Sequence, residues 1–192
     1  ETAEMPALYA DGDYDMSGTI IGVVEKSKII NGKKISRGDV LIGLESTGLH
    51  TNGYSLARKV LLDKYSINQE ISELGTTVGE ALLAVHRSYL HEVYPLVEAE
   101  LLTGISHITG GGLVGNTERI LPKERKLNID WNSWNRLPIF NIIQQAGNIS
   151  EEEMRRAFNL GIGMVLITSE TNVEKVTAAT EKYNPKIIGT VE

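Results

Sequence analysis

His107 and Thr109 stand two residues apart at the end of a short apolar run, Gly104-Ile105-Ser106-His107-Ile108-Thr109, and three glycines follow, Gly110, Gly111 and Gly112. On a strand, a spacing of two places both side chains on one face. Consecutive glycines give up more backbone entropy on folding than other residues, so they are expected where the chain needs positive φ or approaches a ligand closely. Leu113 to Leu121 can wind as a short helix. Strand, glycine turn and helix start together aim free backbone N–H groups at an anion. The chemistry that fits is a phosphate cradle flanked by an imidazole and a hydroxyl. The alternative is a turn that only turns, and the His107/Thr109 pair favours ligand binding.

A second turn has the same make-up. Thr47-Gly48-Leu49-His50-Thr51-Asn52-Gly53 also joins an expected strand to an expected helix. Any one of Thr51, Asn52 or Ser55 could simply cap that helix. Gly48, His50, Asn52 and Gly53 together exceed what a cap needs, and ligand contact is the competing expectation. A third turn, Asn159-Leu160-Gly161-Ile162-Gly163, precedes a strand. Here Asn159 and Gly161 are either ligand contacts or, respectively, a helix cap and a tight-packing glycine. His86 and His91 are five apart on a helical stretch and do not share a face, so metal binding by this pair is not expected. Glu151-Glu152-Glu153 suits the first turn of a helix and reads as structural. Glu1, Glu4, Asp11, Asp13 and Asp15 make the leader acidic without the spacing of a calcium loop.

The elements that must position these turns follow from pattern. Residues 1–16 read as an irregular lead-in, and Gly18 to Val24 as a β-branched strand. Asn31-Gly32 signals a hairpin turn. Asp39 to Ser46 reads as a central strand, and Tyr54 to Tyr65 as a helix. Val78 to Leu102 is expected to be mostly helical and interrupted at Pro95. A strand over Lys126–Asp130 follows, then helices over Pro138–Ala146 and from Ser150 to Phe158, the latter opened by a capping box with Glu153. A strand over Met164–Thr168, a helix over Thr171–Tyr183 and a strand over Lys186–Val191 complete the chain. The fold class is α/β (α+β), with one domain over 17–192 built on a mixed sheet with packed helices.

Composition sets limits. The 192 residues are 41% hydrophobic and 23% charged, enough for a sizeable core. A net charge of −6 argues against nucleic acid or an anionic membrane as the main partner. Cysteine is absent, which removes disulfide and thiolate chemistry and fits a cytoplasmic setting. No apolar run approaches the ~20 residues of a membrane helix. The first residue is Glu1, and the abrupt opening Glu1-Thr2-Ala3-Glu4 suggests a fragment of a longer chain.

Four motifs together resemble the aminoimidazole ribonucleotide synthetase (phosphoribosylformylglycinamidine cyclo-ligase) family. They are Glu1-Thr2-Ala3-Glu4-Met5-Pro6, Gly48-Leu49-His50-Thr51-Asn52-Gly53-Tyr54-Ser55-Leu56, His107-Ile108-Thr109-Gly110-Gly111-Gly112-Leu113 and Phe158-Asn159-Leu160-Gly161-Ile162-Gly163-Met164. Pro138-Ile139-Phe140 and Gln145-Ala146-Gly147-Asn148 also match its pattern. The resemblance implies a carboxy-terminal domain whose amino-terminal partner, absent from this chain, forms most of an ATP site and a homodimer core. It implies ATP-dependent closure of the imidazole ring of formylglycinamidine ribonucleotide, with Mg2+ and a metal contact from Glu1. His107 and His50 become candidate catalytic groups. Gly48, Asn52, Gly53, Thr109, Gly110, Gly111, Gly112, Asn159 and Gly161 become candidate substrate- or phosphate-binding positions. Val85-His86-Arg87-Ser88-Tyr89 departs from the family's usual Pro-Thr-Arg-like stretch, in which Arg87 is the position that matches the arginine. The competing readings are a relative such as formylglycinamidine ribonucleotide synthetase and a non-catalytic phosphate- or nucleotide-binding regulatory domain.

Overall fold

The computed structural model describes residues 18–192. In chain order the elements are β1 (Val40–Glu45), α1 (Tyr54–Leu62), β2 (Glu70–Ile71), β3 (Thr76–Thr77), α2 (Val78–Leu82), α3 (Leu90–Glu98), β4 (Gly104–His107), α4 (Gly112–Glu118), β5 (Leu127–Ile129), α5 (Pro138–Gly147), α6 (Glu151–Ala157), β6 (Ile162–Thr168), α7 (Val173–Ala179) and β7 (Lys186–Val191). Five strands form one sheet in the order β4-β6-β1-β7-β5, and β2 pairs with β3 in a separate hairpin. Every pairing is antiparallel, which corrects the mixed sheet expected from sequence.

The near-continuous apolar run of β1 is explained by its place at the centre, with helices or loops over both faces. Val40, Ile42 and Leu44 pack with Val93 and Leu96 of α3 and Val176 of α7. Leu41 faces the other way, with Leu113, Trp134 and Val165. A third cluster joins α1, α2, α5 and α6 around Leu61, Phe140, Met154 and Phe158. Ser150 caps α6 by accepting from Glu153 N–H (3.2 Å), but the expected capping box is only half formed, because the Glu153 carboxylate pairs with Arg156 instead.

Three expectations fail. Gly18 to Val24 forms no strand, and Ile20, Ile21 and Val23 are almost fully exposed. Alternation and β-branching supply only propensity; a strand needs a partner to take its backbone groups. Asn31-Gly32 makes a turn without paired strands, and Gly32 (φ +76°) packs on the Ile120 carbonyl instead. The break in the Val78–Leu102 stretch falls at residues 83–89, whereas Pro95 lies inside α3. Those seven residues leave the helical path because their groups are used elsewhere, and that use defines the candidate site.

Candidate active site

The turn after β1 is wound tightly. His50 (φ +52°) and Thr51 (φ +63°) both adopt left-handed backbone, and Gly53 (φ +75°) follows. A β-branched threonine there is an outlier, and such residues cost on the order of 1–3 kcal/mol and concentrate at functional sites. The winding drives the His50 ring inward, where only 1% of the residue is exposed. Thr47 N–H donates to His50 Nε2 (3.0 Å), with Arg87 N–H converging on the same atom at 3.4 Å. Beneath the ring lies Gly163 of β6, where any Cβ would collide with the Tyr89 hydroxyl and the imidazole. Tyr89 donates its hydroxyl to the Glu45 carbonyl (2.8 Å).

The Gly110–Gly112 turn meets this first turn directly. Gly110 N–H donates to Asn52 Oδ1 (2.9 Å), and Asn52 Nδ2 donates to the His50 carbonyl (2.9 Å). Asn116 of α4 braces the turn from inside: its Nδ2 donates to the carbonyls of Thr109 and Gly112, and its Oδ1 accepts from the Thr109 hydroxyl. Asn116 Oδ1 also accepts from Arg119 Nη1 (3.1 Å), which lays the guanidinium over Gly111. Arg119 forms no ion pair among the described residues. A cation beside the Gly110–Gly111 turn suits an anionic ligand.

Between the turns lies a column of histidines. The His50 and His86 rings stack with centroids 4.1 Å apart and planes 17° from parallel. His86 Nε2 then meets His107 Nε2 at 3.2 Å, and His86 Nδ1 meets Thr51 Oγ1 at 3.1 Å. Burial is the main cause that pushes the His50 pKa down to about 3, with His86, His107 and Arg87 adding repulsion. His86 is lowered for the same two kinds of reason, burial first and then His107. Both rings are therefore neutral near pH 7. Outside the column, a groove of about 490 Å³ runs between α3 and the free edge of β4, lined by Tyr89, Val93, Ile105 and Met164 and ending on His86 and His107.

The profile of the family described as "AIR synthase related protein, C-terminal domain" matches residues 36–192. The chain belongs to this family. It is 48% identical over 178 residues to the phosphoribosylformylglycinamidine cyclo-ligase of Syntrophotalea carbinolica, covering 92% of this chain and 51% of that protein. It is 51% identical to the protein of the same name from Geotalea daltonii, covering 92% and 51%. The counterpart from Carboxydothermus hydrogenoformans is 46% identical, covering 100% and 57%. The chain thus spans about half the length of the curated relatives it matches. Among solved structures, T. maritima PurL complexed with FGAR matches with a TM-score of 0.51 at 18% identity, over 88% of this chain and 26% of that one, and this likeness concerns the fold alone.

Within this family member, several residues singled out from sequence are occupied by the protein itself. Asn159 is 2% exposed; its Oδ1 accepts from Ser46 Oγ and Gly161 N–H, and its Nδ2 donates to the Gly48 carbonyl. It staples the 47–53 turn to the 159–163 turn, so its amide is not offered to a ligand. Gly48 and Gly161 belong to the same stapled junction, Gly48 packing closely against Ala84 and Gly161 against Trp134 and the Asn135 carbonyl. Gly53 is needed because a Cβ would enter the Phe158 ring, and Gly112 because one would enter the Arg155 carbonyl. His50, Asn52, His107, Thr109, Gly110 and Gly111 do converge. Glu1 lies outside the described residues. Sequence reasoning missed His86, Tyr89, Gly163, Asn116 and Arg119. Only the altered stretch around His86 gave a signal, since its register departs from the family pattern.

Proposed function

We propose that this chain is the carboxy-terminal half of a phosphoribosylformylglycinamidine cyclo-ligase. In that reaction ATP phosphorylates the formyl-derived amide oxygen of formylglycinamidine ribonucleotide. A nitrogen of the same molecule then attacks the activated carbon and displaces phosphate, giving aminoimidazole ribonucleotide. An amide oxygen is a poor leaving group and phosphate a good one, so catalysis rests on positioning and on neutralising phosphate charge. The observation that supports this reading best is the junction of the two glycine-bearing turns through Gly110 N–H and Asn52 Oδ1, with Arg119 and His107 at its rim. The names of the relatives favour the cyclo-ligase over the synthetase and over a regulatory domain.

The reading carries further parts. The cleft formed here is one wall of the substrate site, and the half of the protein outside this chain supplies the other, with most contacts to ATP. Mg2+ accompanies ATP in this reading, and among the described residues no group of three or more His, Asp or Glu side chains is arranged to hold a metal ion. The whole protein works as a cytoplasmic homodimer, and among the described residues no helix is long and apolar enough to cross a membrane. The test uses the full-length enzyme with formylglycinamidine ribonucleotide and ATP. His107→Ala and Gly111→Val each lose most turnover, and this chain alone is inactive; wild-type rates from both variants would sink the site assignment.

A further inference from the structure

The hydrogen-bond network around the histidine column assigns its ring protons. Thr51 has one hydroxyl proton, and it goes to the His50 carbonyl 2.6 Å away. Thr51 Oγ1 must therefore accept from His86 Nδ1 at 3.1 Å, which puts a proton on that nitrogen. A neutral imidazole with Nδ1 protonated keeps its lone pair on Nε2. Burial and the neighbouring His107 hold His86 in the neutral form. His86 Nε2 faces His107 Nε2 at 3.2 Å, so the proton between them belongs to His107. His107 is exposed, and its ring makes this one hydrogen bond among the described residues. In the neutral form of this ring the lone pair is on Nδ1. The chain of donation runs one way, from His107 to His86 to Thr51 to the His50 carbonyl.

We propose that His86 is a positioning residue, which holds His107 in the Nε2–H tautomer with its Nδ1 lone pair open to the cleft as the acceptor of the proton released on ring closure. The proposal rests on the cyclo-ligase reading. In the closing step the lone pair of the attacking nitrogen forms the new C–N bond. The C–O bond to the phosphorylated oxygen breaks, and its electron pair leaves with phosphate. The N–H proton of the attacking nitrogen moves to His107 Nδ1. The imidazolium so formed still donates through Nε2–H to a neutral His86, which stabilises it. The stack of His86 on His50 fixes the plane of the orienting ring. The left-handed Thr51 brings its hydroxyl to the one place where it can receive Nδ1–H. The other titratable groups facing the column are the Arg87 guanidinium and the Tyr89 phenol, and neither bonds to His107.

The test compares the full-length wild-type enzyme with His86→Phe and His86→Gln. Phenylalanine keeps a ring to stack on His50 but cannot accept from His107. Glutamine restores the pair, with Oε1 accepting from His107 and Nε2 donating to Thr51. Nitrogen-15 spectra of histidine-labelled protein without substrate read the His107 tautomer. The wild type and His86→Gln show Nδ1 as the unprotonated nitrogen, whereas His86→Phe shows a mixture. In kinetics, His86→Phe lowers kcat by roughly 10- to 100-fold, the range seen when a group that orients a ligand is removed, with KM changed little. The acidic limb of its kcat–pH profile moves, and His86→Gln recovers most of the rate. An unchanged His107 tautomer in His86→Phe, or a wild-type kcat and pH profile, overturns the proposal. If the tautomer shifts as expected but the wild type turns over no formylglycinamidine ribonucleotide, the cyclo-ligase reading fails and the proton-acceptor role falls with it, while the His86–His107 pairing is upheld.

Discussion

A neutral imidazole buried against backbone amides makes stability depend on pH. Free histidine titrates at 6.5, and folded His50 resists protonation down to about 3. Between those values the unfolded chain binds a proton that the folded chain does not, so stability is full above pH 6.5 and falls as the pH drops toward 3. One such group contributes a slope of at most about 1.4 kcal/mol per pH unit, and His86 adds to it in the same direction. His50→Gln in the full-length protein is therefore expected to flatten the fall in urea midpoint between about pH 6 and about pH 4; superimposable curves for variant and wild type would count against it. Asn159→Ala tests the staple. It strands the Gly48 carbonyl, Gly161 N–H and Ser46 hydroxyl, and roughly 3 kcal/mol of stability should be lost on denaturant titration, since each stranded group costs about 1–3 kcal/mol. A loss below 1 kcal/mol, by rough allowance for measurement scatter, would show that water replaces the amide. At this scale His50, Asn52 and His107 were legible because they sit in turns of unusual composition. His86 was not: it lies 36 positions from His50 and 21 from His107, and no periodicity links residues that only the folded chain stacks together.

At the scale of elements, the glycines of α4 separate two roles that look identical in sequence. Gly112 has φ +67°, and a Cβ there would enter the carbonyl of Arg155 at the end of α6. Gly115 lies in the same helix with ordinary φ and open space around its missing Cβ. Gly112→Ala should cost more than about 3 kcal/mol, since backbone strain of 1–3 kcal/mol adds to a clash with main chain that cannot rotate away. Gly115→Ala should instead stabilise by about 0.5–1 kcal/mol through helix propensity. Thermal melts of both variants decide the matter, and equal effects would mean that the close approach of α4 to α6 is not rigid. Of the two reasons for the three-glycine run, positive φ holds at Gly111 and Gly112, and the group that approaches Gly112 is protein. The helical stretch around residues 78–102 was misread for a related reason. Proline is the visible breaker, yet Pro95 sits within α3. The chain leaves the helix earlier, where the Val85 carbonyl accepts from Thr47 Oγ1, Arg87 N–H approaches His50 and the Tyr89 hydroxyl reaches Glu45. Those long-range bonds override local helix preference, and sequence pattern carries no record of them.

For the whole molecule, the central sheet was legible because β1 and β6 are apolar along most of their length and must be covered on both faces. The run from Thr19 to Val24 has the same β-branched character but no cover: Ile20, Ile21 and Val23 are 97%, 89% and 101% exposed. Leu90 and Tyr94, which line the groove that ends on His86 and His107, are also exposed, as are Leu83 and Val85. Fully burying one such side chain is worth about 1.5–3 kcal/mol, so leaving this set in water is costly. The relatives are about twice as long as this chain, and under the function proposed above the half outside this chain is the expected cover. On this view residues 19–24 form a strand only when a strand of the other half pairs with them. Hydrogen–deuterium exchange on the full-length protein gives the check. The amides of 19–24 should be protected to a degree comparable with β1, because paired strands exchange only through opening. Val23→Asp should abolish that protection while β1 to β7 stay protected. Rapid exchange over 19–24 in the intact wild-type protein would mean that the apolar run is covered by nothing.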